Sequence, residues 1–200
     1  VDFENNGTPT EWSKGVDYGV QIKADVINLQ GGVDPRVIIP ALQRAKKAGI
    51  PIISTHGYQI GEEIPEEVKD LVDGTVSVPF DKVSALQADY VVANSGYEAK
   101  PVIITSNEVP ASVGIVKAMK DELARLCPDL EVGEINVPAN QWGTGIKPEV
   151  QSYLVKNPDT DWIMTNYDGM VVPTVAGIQA AGKSGSVKVT SYNGTPEILK

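Results

Sequence analysis

The chain has 200 residues, 42% of them hydrophobic and 22% charged, a globular balance with room for one large domain or two of about 100 residues each, which excludes disorder and fibrous repeats. Its 19 glycines and 14 prolines follow no period, so they punctuate elements rather than build a low-complexity tract. A net charge of −9 with no Lys/Arg-rich run argues against a surface that neutralises phosphates, and no nucleic acid partner is expected.

Short runs rich in Val and Ile alternate with amphipathic stretches of helical length, the pattern of parallel strands joined by crossover helices, so an α/β fold is predicted. The first predicted strand covers residues 24–29. Asp34 and Pro35 then open a helix with an apolar stripe of Val37, Ile38, Ala41, Leu42 and Ala45, closed by Gly49. Pro40 inside it removes one backbone hydrogen bond, which predicts an irregular first turn. Strands over 50–55 and 76–78 follow, with helices over 65–72 and 83–93. The segment 94–100, Asn-Ser-Gly-Tyr-Glu-Ala-Lys, ends the last of these and divides the chain into nearly equal α/β halves, here 1–98 and 99–200. In the second half, strands over 101–105, 131–137, 161–166 and 187–192 alternate with helices over 111–126, 147–155 and 169–181, the last with Pro173 inside. No tandem repeat occurs, and no apolar run approaches the roughly 20 residues of a membrane span. The single cysteine, Cys127, cannot close an intrachain disulfide and reads as a small buried apolar residue. Val1-Asp2-Phe3 does not open a signal peptide, so any targeting segment is expected to have been removed.

Ligands of doubly wound sheets bind outside the carboxyl ends of the strands, which makes the residue after each apolar run informative. The first runs lead into Gln30-Gly31-Gly32, His56-Gly57-Tyr58 and Ser106-Asn107; the later ones lead into Asn140-Gln141-Trp142, Tyr167-Asp168 and Asn193-Gly194. Both halves thus offer neutral hydrogen-bonding groups with aromatic faces beside them. That mixture suits a neutral polyhydroxyl ligand, whose hydroxyls need donors and acceptors while the C–H face of a ring packs on an aromatic.

Three segments carry a resemblance: Asp34-Pro35 with Ala45 to Ile53, Asn157 to Asp161 leading through Tyr167-Asp168-Gly169-Met170, and Tyr192-Asn193-Gly194-Thr195-Pro196-Glu197. In this order and spacing they resemble the ribose-binding type of periplasmic solute-binding protein, over essentially the whole chain. The resemblance implies the type I architecture: two Rossmann-like parallel-sheet lobes joined by a hinge, with a sugar or similar solute in the cleft between them and delivery to the membrane permease of an ABC importer. It implies a monomer that is periplasmic, or extracellular and membrane-anchored. The same superfamily contains the effector-binding cores of LacI-type regulators, the alternative reading. Position by position, the family's polar contact falls on Tyr167, its stacking aromatic on Trp142 and its late Asp on Asn193, with Gln30 and His56 matching in the first lobe. The family's Asp-Arg after the Ile-Pro strand is His56-Gly57 here, and Val113 stands where a second arginine is usual. Only Arg36, Arg44 and Arg125 exist, all in helical segments, so a carboxylated or phosphorylated ligand is disfavoured and ribose itself is weakened as an assignment. Residues 1–4 match the family's second strand, so each lobe is expected to lack elements of its sheet in these residues.

Tyr58 completes the candidate ligand set by its place beside His56. Asp168 either caps the helix after it or meets the ligand. Trp142 reads as facing the cleft rather than the core, because Asn140, Gln141, Gly143, Thr144 and Gly145 around it are loop-like. His56 is the only histidine; with no nucleophile, metal cluster or phosphate loop near it in sequence, no catalytic residue, metal or cofactor is expected and no enzyme is inferred.

Overall fold

Helix α1 (Pro9–Gln21) opens on a cap legible in its own residues. The Thr8 side chain accepts from the Glu11 backbone N–H at 3.3 Å, and Pro9 occupies the first turn, where its missing N–H costs nothing. This helix is additional to the predicted set. In the computed structural model, which describes residues 1–31, 33–191 and 193–199, it is followed by β1 (Ile27–Gln30), α2 (Ile39–Lys47), β2 (Ile52–Gln59) and β3 (Gly74–Val78). The three strands make one parallel sheet in the order β1-β2-β3. These elements form the first of two compact units, Val1–Pro79 with Glu108–Ala111.

Its core joins Val16 of α1 and Leu42 and Ala45 of α2 to Ile27, Leu29 and Ile52 of the sheet. Arg44 on α2 forks onto Asp17 of α1 with bonds of 2.7 and 2.8 Å. Pro40 acts as predicted: the helix expected over 34–49 is split into a 3-10 turn, Pro35–Ile38, and α2, whose first turn holds the proline. The helix expected over 65–72 is a string of turns held by bonds such as Val68 N–H to the Pro65 carbonyl and Leu71 N–H to the Val68 carbonyl. Eight residues are too few to repay helix nucleation, although Val68 and Val72 still reach the core. Residues 1–4 pair with no strand among the described residues; Phe3 instead lies 5.7 Å from the Tyr18 ring.

The second unit, Phe80–Asn107 with Ser112–Lys200, contains α3 (Phe80–Ser95), β4 (Pro101–Thr105), α4 (Pro110–Leu126) from Ser112 on, β5 (Gly133–Asn136), α5 (Trp142–Lys156), β6 (Trp162–Thr165), α6 (Val171–Ala180) and β7 (Lys188–Thr190). Its parallel sheet runs β5-β4-β6-β7. β4 and β6 are buried along their whole length, as parallel strands covered on both faces must be. Val102, Ile104 and Ile163 pack against Ile146, Val150 and Leu154 of α5 and Ile178 of α6. The crossover from β4 to β5 runs in the opposite sense across the sheet, so α4 lies on the other face, and α3, which enters before β4 and crosses no strand of this sheet, lies beside it with Arg125 of α4 3.9 Å from Asp89 of α3. The division between the units falls at Pro79/Phe80, whereas the expected lobe boundary at 98/99 would leave α3 with the first half. Cys127 is half-buried just beyond α4 rather than enclosed. Of the expected strand ends and turns, Gly32 and Tyr192 lie outside the described residues.

Helices α5 and α6 approach each other through Gly177, where an added Cβ would stand 2.7 Å from Val150 Cβ and 2.8 Å from the Lys147 carbonyl oxygen. Gly177→Ala should therefore destabilise the protein by about 1–3 kcal/mol, read as a lower urea midpoint, because backbone cannot yield as a flexible side chain can.

Candidate functional site

In the first unit, Gln30 ends β1 as an exposed residue in register with Thr55 of β2. The Thr55 hydroxyl donates to Asn28 Oδ1 at 3.1 Å, and the Gly31 N–H donates to the Thr55 carbonyl at 2.7 Å. The next residue, His56, adopts φ +61°, left-handed backbone that is rare outside glycine. A shift of register between Thr55 and Gln59 against β3 produces it. The bulge presents the exposed imidazole beside Gly31, whose Cβ position would lie 3.7 Å from His56 Cβ. Gln30 and His56 thus stand on neighbouring strands, with Gly31 between them in the chain path. Tyr58 is not with them at the surface: it is only 4% exposed. Burial, and then the charges of Asp34 and Glu62, push its phenol up to about 12 against the opposing effect of Arg36. Its hydroxyl has no hydrogen-bond partner among the described residues.

In the second unit, Trp142 is the first residue of α5 and follows a 3-10 turn, Ala139–Gln141. The segment Gly143-Thr144-Gly145, expected as loop, is helical. Gly145 permits this, since a Cβ there would come within 3.2 Å of Val137 Cγ1 and 3.3 Å of Gln141 Cβ as the helix starts close against the end of β5. Trp142 is half-buried: one side packs on the α5/α6 core, and its ring centroid lies 5.5 Å from that of Tyr167 with 38° between the planes. The indole N–H donates to Ser106 Oγ at 2.5 Å and to the Val137 carbonyl at 3.2 Å. Ser106, fully buried after β4, donates in turn to the Val137 carbonyl. Sequence reasoning places Ser106 among the strand-end polar residues but misses that it anchors the tryptophan. Tyr167 keeps 44% of its surface exposed, so the pair offers an aromatic face with one member wet.

Asp168 points inward. It is 2% exposed, its carboxylate accepts from the Ser191 hydroxyl and from the Thr195 N–H (2.7 Å), and its own N–H donates to Asn193 Oδ1 at 3.1 Å. The residue preceding the 3-10 turn Asp168–Met170 is Tyr167, which caps nothing with its side chain. Asp168 is therefore a clasp for Ser191, Asn193 and Thr195 rather than an N-cap, and Asn193 is held exposed beside it. Burial raises the Asp168 carboxyl, but the bonds from Ser191, Thr195 and Asn193 outweigh burial and leave it below its ordinary value.

All three arginines are engaged locally. Arg36 binds Asp34 through Nε at 2.8 Å and Nη2 at 2.6 Å, Arg44 binds Asp17, and Arg125 binds Glu122. Among the described residues no three His, Cys, Asp or Glu side chains are grouped to hold a metal, and no helix is long and apolar enough to cross a membrane. The arrangement can accept and donate hydrogen bonds at neutral groups and cover an apolar ring face.

Because the Asp168 carboxyl is lowered in the folded chain, its contribution to stability is complete above the ordinary carboxylate range and is lost as pH falls through the lowered value. Asp168→Asn should flatten the acid limb of a stability-against-pH curve, and hydrogen exchange at 191–195 should rise at neutral pH.

Residues 3–200 match the profile of the periplasmic binding protein domain. No curated protein matches the chain at a significant level. Among solved structures, an ABC transporter solute-binding protein from Agrobacterium vitis with bound D-fucose superposes with a TM-score of 0.77 at 16% identity, over 97% of this chain and 64% of that one. One from Actinobacillus succinogenes 130z with bound D-allose gives 0.75 at 22% identity over 98% and 67%. A third, from Bacillus halodurans C-125 with bound myo-inositol, gives 0.72 at 19% over 96% and 64%. The chain thus spans about two thirds of the length of these structures, and they share its fold. With the family profile covering nearly every residue, the chain belongs to the periplasmic binding protein domain family, and its two parallel α/β units have the type I fold of these solved structures.

Proposed function

We propose that the chain is the ligand-binding body of an extracytoplasmic solute-binding protein serving an ABC importer, and that its solute is a neutral sugar or polyol. The observation that carries this reading is the Trp142–Tyr167 pair standing among neutral strand-end groups while every arginine is tied to a neighbouring carboxylate. An anionic solute would need charged bidentate donors; a sugar needs an aromatic face and amide or hydroxyl partners. Gln30 and His56 in the first unit and Trp142, Tyr167 and Asn193 in the second are the proposed contacts, with Tyr58 and Asp168 supporting them from beneath. The sugar- and inositol-bound neighbours support the solute class. The chain would act as a monomer, hand its solute to a membrane permease and carry out no chemistry.

Calorimetric titration of the intact protein with D-fucose, D-allose, myo-inositol, glucuronate and ribose 5-phosphate tests the class. Binding of at least one neutral compound, and tighter than either anion, is the expected result; preference for an anion overturns it. Trp142→Ala should weaken binding by at least about tenfold, since ring burial and stacking together exceed about 1.4 kcal/mol. Trp142→Phe should retain most of the affinity while losing about 1 kcal/mol of stability with the indole bonds to Ser106 and Val137.

The left-handed His56 gives a separate signature. His56→Gly should leave ligand-free stability unchanged or raised by up to about 1 kcal/mol, because the strained φ is relieved. Binding should fall with the loss of the imidazole, and a variant that both destabilises the fold and binds normally would remove His56 from the contact set.

A further inference from the structure

The carboxyl end of the second unit's sheet carries a buried polar layer that the proposed contacts do not use. Ile104 pairs with Thr165, and Met164 with Thr190. Partners across a ladder share a face, and successive residues alternate. Since Ile104 and Ile163 face α5 and α6, Thr105, Asn166 and Thr190 face the other way, toward α3 and α4. Gln87 of α3, 6% exposed, donates its amide Nε2 to the Thr165 carbonyl at 3.1 Å and to the Thr190 hydroxyl at 2.7 Å. Asn166 donates to Ser112 of α4 at 2.7 Å. Ser84, one turn before Gln87, is fully buried as well.

Among the described residues the Ser84 hydroxyl, Gln87 Oε1, the Thr105 hydroxyl and Asn166 Oδ1 have no hydrogen-bond partner. Apolar side chains of similar volume would avoid that desolvation cost, so the layer is not explained by stability. Its position supplies an explanation. Thr165 and Asn166 lead directly into Tyr167 and Asp168, and Thr190 leads into Ser191 and the segment holding Asn193. A single amide grips both strand ends where the chain turns into the proposed contacts.

We propose that Gln87 is a positioning residue for solute binding: its amide ties the ends of β6 and β7 to α3 and so fixes the spacing of Tyr167 and Asn193. This rests on the solute-binding reading above. The amide does not touch solute; it acts through the two strand ends, which the Thr165 hydroxyl, donating to the Thr190 carbonyl at 3.0 Å, and the Asp168 bonds also join, so removing it loosens their tie to α3 rather than parting them.

Gln87→Leu in the intact protein deletes the clamp at nearly constant volume. Leu154→Ala, in the core on the opposite face of the sheet, serves as a variant that loses stability with the clamp intact. Hydrogen exchange at residues 166–168 and 191–195 is read without solute, and affinity is read for whichever of D-fucose, D-allose and myo-inositol the parent binds tightest. Gln87→Leu should speed exchange in both segments together and weaken affinity by about three- to tenfold, the worth of one net buried hydrogen bond. Leu154→Ala should leave affinity within error. If Gln87→Leu does not fold, Thr190→Val, which removes one acceptor and leaves the helix intact, is held to the same expectations. Unchanged exchange, a change at only one strand end, or faster exchange with parental affinity each overturns the proposal. Failure of the parent to bind any of the three counts against the solute reading, and the exchange comparison alone then decides whether Gln87 holds the two ends.

Discussion

A parallel strand covered on both faces can carry polar side chains only where its ladder stops. β4 and β6 are buried at every residue, so the second unit's chemistry is pushed past Thr105 and Thr165 into Ser106, Asn107, Asn166 and Tyr167. The first unit differs: β1 alternates buried and exposed residues, and its polar groups Gln30 and His56 lie within β1 and β2 themselves. In the second unit helices on each face supply the coverage, and parallel strands joined by crossovers all end on one side. The location of the candidate site is thus a by-product of how the hydrophobic core is closed.

The two ends of the sheets are held by different means. At the amino ends, single carboxylates fix strand starts: Asp73 accepts from the Ile52 N–H at 2.8 Å and Asp161 from the Lys100 N–H at 2.7 Å. At the carboxyl end of the second unit the groups are more numerous and mostly neutral, with Ser106 under Trp142 and Asp168 under Asn193. The side chains that would meet a solute therefore rest on buried partners contributed by other strands. Such support fixes rotamers before binding and lowers the ordering cost that a loop-borne site would meet.

The alternation of Val/Ile runs with amphipathic stretches is enough to read the α/β class and the positions of the seven strands, because β4 and β6, buried on both faces, leave uninterrupted apolar runs and the more exposed strands still carry short Val/Ile-rich segments. Helix α1 escaped that reading although Thr8-Pro9-Thr10-Glu11 carries a cap, a first-turn proline and an acidic third residue. Residues 65–72 carry a helical pattern, yet tertiary packing of Val68 and Val72 is satisfied by turns. In the site, Gln30, His56, Tyr167 and Asn193 stand exposed at strand ends as position alone implies. Tyr58 does not, because the bulge at His56 resets which side of the chain faces inward, and a bulge leaves no signal in hydrophobic period. The partners of Asp168 and Trp142 are not legible in sequence, because Ser191, Thr195 and Ser106 lie more than 20 residues away.

The pairing of each guanidinium with a carboxylate on its own unit has a kinetic consequence. Arg36, Arg44 and Arg125 contribute neutralised dipoles rather than free positive charge, so the far field of the chain is that of its excess acid groups. An uncharged solute is neither drawn in nor repelled by such a field, and its encounter rate is set by diffusion and by the area of the exposed contacts. Such an encounter rate is insensitive to ionic strength, whereas that of an anion would change with it.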